Sequence, residues 1–87
     1  MSEPLIGEIR MFAGNFVPRG WAICDGRLLS ISQNSALFSV VGTAYGGDGM
    51  TTFALPDLRK HPPHEPPRPS ALVRFIIALE GAFPPRA

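Results

Sequence analysis

The forty residues GWAICDGRLLSISQNSALFSVVGTAYGGDGMTTFALPDLR, positions 20–59, decide how this chain folds. They hold two Asp-Gly pairs, one short helical pattern and a strand stopped by proline. Asp25-Gly26 stands between WAIC (21–24) and RLL (27–29). Asp-Gly between short apolar runs is the chemistry of a two-residue β-hairpin, whose central residues take positive φ, so a small hairpin is predicted here. Trp21 is expected to plug the core; its alternative is a surface on which a sugar stacks, against which stand its structural-looking neighbours Ala22 and Ile23. Residues 30–42 predict a helix with Ser32 as N-cap. Leu37, Val40 and Val41 at i, i+3, i+4 spacing are to face the sheet, and Gly42 stands at the C-terminal glycine position. Some ten residues are too few for a helix that persists unaided, so this one must be held by packing.

Next comes TAYGGDG (43–49). It lacks the Gly-Lys-Ser/Thr of a phosphate loop and opens no helix. The structural reading is a wide turn with glycines supplying positive φ. The functional reading is an exposed binding loop formed by Tyr45, Gly46, Gly47 and Asp48, with Tyr45 as contact and Asp48 as polar anchor. A strand over 50–55 follows, ended by Pro56. Asp57 and Arg59, two apart, point the same way if extended, which favours a local ion pair or hydrogen bond.

Working outward, residues 5–13 alternate: Leu5, Gly7, Ile9, Met11 and Ala13 on one face, Ile6, Glu8, Arg10 and Phe12 on the other. They read as a strand, and 15–20 as a loop. KHPPHEPPRPS (60–70) is half proline from His61 to Ser70, an extended tether. Its eleven residues reach roughly 34 Å at about 3.1 Å each, enough to return the chain across a small domain. LVRFIIAL (72–79) is apolar on both faces, which places it centrally or at an interface. Glu80-Gly81 turns it, and Phe83 is expected to be exposed. The organisation is one domain: a core over 1–59, a tether over 60–71, and a closing strand and tail over 72–87. The fold class is α+β, a small mixed sheet with a hairpin and one short helix, the last strand returning to the sheet after the tether.

Eighty-seven residues bury only about 60–65% of the surface their unfolded form exposes, and oligomerisation is a common remedy. The chain is 45% hydrophobic and 17% charged with net charge +1. Low charge suggests that a partner covers some surface, and near-neutrality gives no electrostatic case for nucleic acid or anionic membrane. The opening MSEPLIGEIR has acids and no apolar h-region, so no secretory signal is expected. No apolar run approaches a bilayer span. Cys24 stands alone and is expected to be a small buried hydrophobe.

The words GWAICDGRLL (20–29), ALFSVVGTAYGGDG (36–49) and TFALPDLR (52–59), in this order, resemble the tail collar domain of bacteriophage tail fibres and of small microcystin-dependent proteins. The opening IGEIRMFAGNFVPRG (6–20) and closing FIIALEGAFPPR (75–86) are similar to the ends of that family. The resemblance implies a structural, homo-oligomeric module, most readily a trimer, of a phage tail or tail-like particle: made in the cytoplasm, associated with other tail proteins, and without a cofactor. A multivalent module binding bacterial surface glycan is the alternative. Longer relatives continue past LPDLR into a glycine-rich stretch and a long insertion; here Lys60 and the proline tether stand in its place, so a receptor-facing tip is not expected. Some tail fibres hold metal through closely paired histidines. His61 and His64 in HPPH are spaced differently, and solvated histidines are the default reading.

No enzyme is expected. Both histidines sit in the tether, and Asp25, Asp48 and Asp57 each have a conformational reason for their position. A pair of carboxylates facing each other across a cleft would be the sign of hydrolytic chemistry. The residues taken as structural are Trp21, Asp25, Gly26, Leu37, Gly42 and Asp57.

Overall fold

A computed structural model describes residues 3–59 and 73–85. It is α+β, with strands β1 (Ile9–Ala13), β2 (Trp21–Ile23), β3 (Leu28–Ser30), β4 (Thr52–Ala54) and β5 (Val73–Ala78), and one helix, α1 (Ser35–Val41). The strands form two antiparallel sheets, one ordered β1-β5-β2 and the other β3-β4. The tether, with His61 and His64, lies outside the described residues.

The central place of β5 follows from its two apolar faces. On one face Ile77 and the partly buried Phe75 meet the core with Ala22 of β2. On the other, Ile76 and Ala78 are also buried. That second face is roofed from its two neighbours: Trp21 stands opposite Ala78 and Arg10 opposite Ile76, and the Arg10 guanidinium lies 5.3 Å from the Trp21 ring centre. Glu8 holds Arg10 there through an ion pair. A guanidinium over an aromatic face is attractive and covers apolar surface while its head stays wet. Trp21 is therefore half-buried on the outside of the sheet; contrary to the expectation from sequence, it does not plug the core.

The core joins both sheets: Ile6, Ala22, Cys24, Leu37, Phe53, Leu55 and Ile77. Burial pushes the Cys24 thiol up to about 11, because the charged thiolate would be desolvated. Helix α1 packs through Leu37, which is fully buried, and through Phe38, whose ring lies 5.4 Å from that of Phe53. Val41 contributes, but Val40 is 37% exposed. The inward stripe is thus Leu37, Phe38 and Val41, rotated from the predicted one.

The helix is also shorter than predicted. It starts after Asn34, not Ser32, and no side chain caps it. Asn34 Nδ2 donates instead to the Ser30 carbonyl at 3.0 Å, while the Ser32 hydroxyl meets that of Ser30. At the other end Gly42, at φ 57°, donates its N–H to the Phe38 carbonyl at 2.7 Å, which closes the last turn as expected.

Strand β1 is shorter than the predicted 5–13 strand and keeps its predicted facing, but its apolar face is poorly covered. Ile9 and Met11 stand opposite Ile77 and Phe75, so they lie on the core-side face of the sheet. They nevertheless project past the core at the sheet's edge, and Met11 is 68% exposed.

Candidate functional site

The predicted Asp25-Gly26 hairpin does not form. Strand β2 pairs with β5 and β3 with β4, so residues 24–27 carry the chain from one sheet to the other. Gly26 is at φ 81°, while no residue other than glycine has positive φ among those described; a turn needing two such residues is therefore excluded. The crossing is locked to a second corner after β4. Asp25 and Asp57 form an antiparallel bridge, Leu58 N–H donates to the Cys24 carbonyl at 2.8 Å, and Leu55 N–H donates to the Arg27 carbonyl at 2.9 Å.

The two corners are chemical twins, Asp25-Gly26-Arg27 and Asp57-Leu58-Arg59. In the first, Arg27 donates through Nε and Nη2 to the Asp25 oxygens at 2.9 and 2.8 Å, with its backbone N–H at 3.2 Å. In the second, Arg59 makes the same three bonds to Asp57 at 3.0, 2.8 and 3.2 Å. Each is a planar two-point clasp. Glycine at 26 lets the corners touch: a Cβ there would sit 3.3 Å from both Cβ and Oδ2 of Asp57.

Two carboxylates are thus brought near each other, as hydrolytic chemistry would need, but each is committed to its own arginine. The Arg27 guanidinium holds Asp25 below its ordinary value, and Arg59 holds Asp57 down to about 2. A general acid must carry a proton near working pH. The arginines favour the ionised form of both carboxylates, so neither is poised as a general acid, and each clasp ties down its own chain corner.

The 43–49 loop divides between the two readings made of it. Asp48 is an internal clamp: its Oδ1 accepts from the backbone N–H groups of Met50, Thr51 and Thr52 at 2.8, 2.8 and 2.9 Å, and its Oδ2 from the Thr51 hydroxyl at 2.9 Å. Those bonds hold its carboxyl far below the usual range. Gly47, at φ 95°, lies against the Phe53 backbone, where a side chain would collide. The Gly46 carbonyl accepts from Ala54 N–H at 3.1 Å. Asp48, Gly46 and Gly47 are therefore occupied in fixing the turn onto β4, whereas Tyr45 is 53% exposed.

A third locale was missed in the sequence because its parts are far apart in the chain. Arg19-Gly20, Trp21 at the start of β2, the Glu80-Gly81 turn and Glu3-Pro4 line an open, shallow cleft of about 340 Å³. Sequence reading weighed Trp21 for sugar stacking but had no means of setting Glu80 beside it; the antiparallel pairing of Trp21 with Ala78 does that. Among the described residues no three His, Cys, Asp or Glu side chains group as a metal site, and no helix is long and apolar enough to cross a membrane.

A family model described as the phage tail collar domain matches residues 7–63. No curated protein matches the chain.

Proposed function

The chain belongs to the phage tail collar domain family, and from that premise we propose that it is a homo-oligomeric structural module of a tail fibre or tail-like particle. The observation that carries the oligomer is the free edge of β1. Ile9 and Met11 continue the core-side face of the sheet past its boundary, where the described residues leave Ile9 40% and Met11 68% exposed. An edge strand with exposed apolar side chains invites pairing unless something blunts or covers it. A neighbouring subunit is the cover this family offers, and fibres built about a three-fold axis favour a trimer. In that setting the protein works beside other tail proteins in a particle, as a scaffold rather than a catalyst.

Light scattering after size exclusion tests this. The expected mass is a stable multiple of 9.4 kDa, three-fold by preference, and Met11→Glu should shift it towards the monomer. A well-folded wild-type monomer across the accessible concentration range would overturn the reading.

A second reading, multivalent binding of bacterial surface glycan, is favoured by Tyr45 at the exposed loop and by the Trp21 cleft. Weak single sites gain orders of magnitude in avidity when several act together. Asp48 has no part in it, since its oxygens are taken by the loop itself.

A further inference from the structure

We propose that the Trp21 cleft binds an amino sugar, a pyranose carrying a protonated amine. The inference rests on the glycan reading above and gives it a site and a ligand class. The cleft is lined by Glu3, Arg19, Gly20, Trp21, Glu80 and Gly81. Its volume lies at the small end of the roughly 300–1,000 Å³ typical of ligand sites, a scale suited to one or two sugar rings.

Among the described residues, the charges around it have no ion-pair partner. The other described acids are engaged: Glu8 by Arg10, Asp25 by Arg27, Asp57 by Arg59, and Asp48 by its own loop. Glu3, Glu80 and Arg19 take part in none of the described ion pairs, yet they converge on one cleft beside an indole. Two carboxylates against one guanidinium leave the lining net negative. It therefore attracts an ammonium group and disfavours uronic acids and phosphates.

The remaining features fit a sugar better than a bare cation. The apolar face of a pyranose can lie along an indole, and the indole N–H and Arg19 supply donors where the carboxylates supply acceptors. Hydroxyls need both kinds of partner. Arg10 over the Trp21 ring occupies part of the indole and fixes its orientation before any ligand arrives, so a sugar meets only the indole surface that Arg10 leaves uncovered, at little ordering cost. The floor is kept low by glycine. A Cβ on Gly20 would stand 3.0 Å from Glu80 Oε1, and one on Gly81 would collide with the Pro4 carbonyl.

Trp21 is the only tryptophan, so its emission reports on this cleft alone. The purified protein is titrated with glucosamine at mildly acidic pH, and in parallel with glucose and with tetramethylammonium. The expected result is a saturable change with glucosamine, at least about tenfold tighter than with glucose, the increment of one charge-assisted contact. Glu80→Gln, isosteric and exposed, should weaken it about tenfold while leaving the circular dichroism spectrum unchanged; Arg19→Ala should weaken glucose and glucosamine alike. Tetramethylammonium binding as tightly as glucosamine would overturn the sugar assignment, and an unaffected Glu80→Gln would overturn the site. Retention of the protein on bacterial polysaccharide, with Trp21 emission unmoved, would sink this cleft and leave the glycan reading standing. No retention on any polysaccharide and no change in emission would sink both.

Discussion

Leu37→Ala tests whether the helix is anchored by one side chain. Leu37 is the buried residue of α1, at 0% exposure, and it meets the core where both sheets contribute. A buried Leu→Ala change costs about 2–5 kcal/mol, from lost transfer energy plus the cavity left behind. Against a total stability of roughly 4–13 kcal/mol expected for a domain of this length, a mid-range loss of about 3 kcal/mol is a large share. It corresponds to a fall in Tm of about 12–24 °C. Val40 stands three residues on and was equally apolar in the predicted stripe, but it is 37% exposed. Val40→Ala should change stability by no more than about 0.5 kcal/mol, a shift of about 2–4 °C. Thermal melts followed by circular dichroism at 222 nm, with urea unfolding at fixed protein concentration, give both values. Equal losses from the two variants would refute the reasoning, because they would mean that the helix is rotated and shares its burial between the two positions.

Two more outcomes are expected. Glu8, Asp25, Asp48 and Asp57 all have carboxyls held below their ordinary values. The unfolded chain therefore binds protons first as pH falls, so stability is fully present above the ordinary carboxylate range and is lost through it, for Asp57 between 3.8 and about 2; Tm measured from pH 5 downward should fall steeply there, and Asp57→Asn should flatten part of the fall. Asp48→Ala should release the Met50, Thr51 and Thr52 amides, seen as faster hydrogen exchange at those three positions with β5 amides unchanged; protection retained at all three would show that the loop is set by its glycines alone.

Much of the framework was legible because it depends on local chemistry or on strong apolarity. The two apolar faces of residues 72–79 predicted a strand placed centrally or at an interface, and β5 is central. A strand formed within the predicted 50–55 span, though β4 keeps only Thr52–Ala54 and stops before Leu55; Gly42 ended α1, Cys24 was buried, and the Asp57–Arg59 pair formed, each for a reason contained within a few residues. The errors arose where long-range pairing overrode a local signal. Asp25-Gly26 has the composition of a hairpin turn, but a turn becomes a hairpin only if its flanks prefer each other, and Trp21–Ile23 found β5 instead. The alternation over 5–13 identified an apolar face correctly without saying whether anything covers it. Ser32 was a sound cap by composition, yet the 31–34 turn delays the helix to Ser35. At the candidate site Tyr45 was legible as exposed, and Asp48 as polar but not as spent. The Trp21–Glu80 juxtaposition is a product of strand register, which no local window contains.

The sheet order β1-β5-β2 also dictates a timetable. Strands β1 and β2 are synthesised early and are not partners of each other; among the described residues both pair only with β5, Ile9 with Ile77 and Trp21 with Ala78. Until residues 73–78 have been translated, neither early strand has its ladder, and the apolar groups they carry have no sheet to join. Contacts so distant in sequence slow folding, since a long loop must close before any of them is rewarded. The β3-β4 pair with α1, whose partners lie closer together along the chain, has no such wait and can form first. Completion of the fold is thereby tied to arrival of the last strand, and a chain arrested before it would present unpaired strands to chaperones and proteases rather than a subunit competent to assemble.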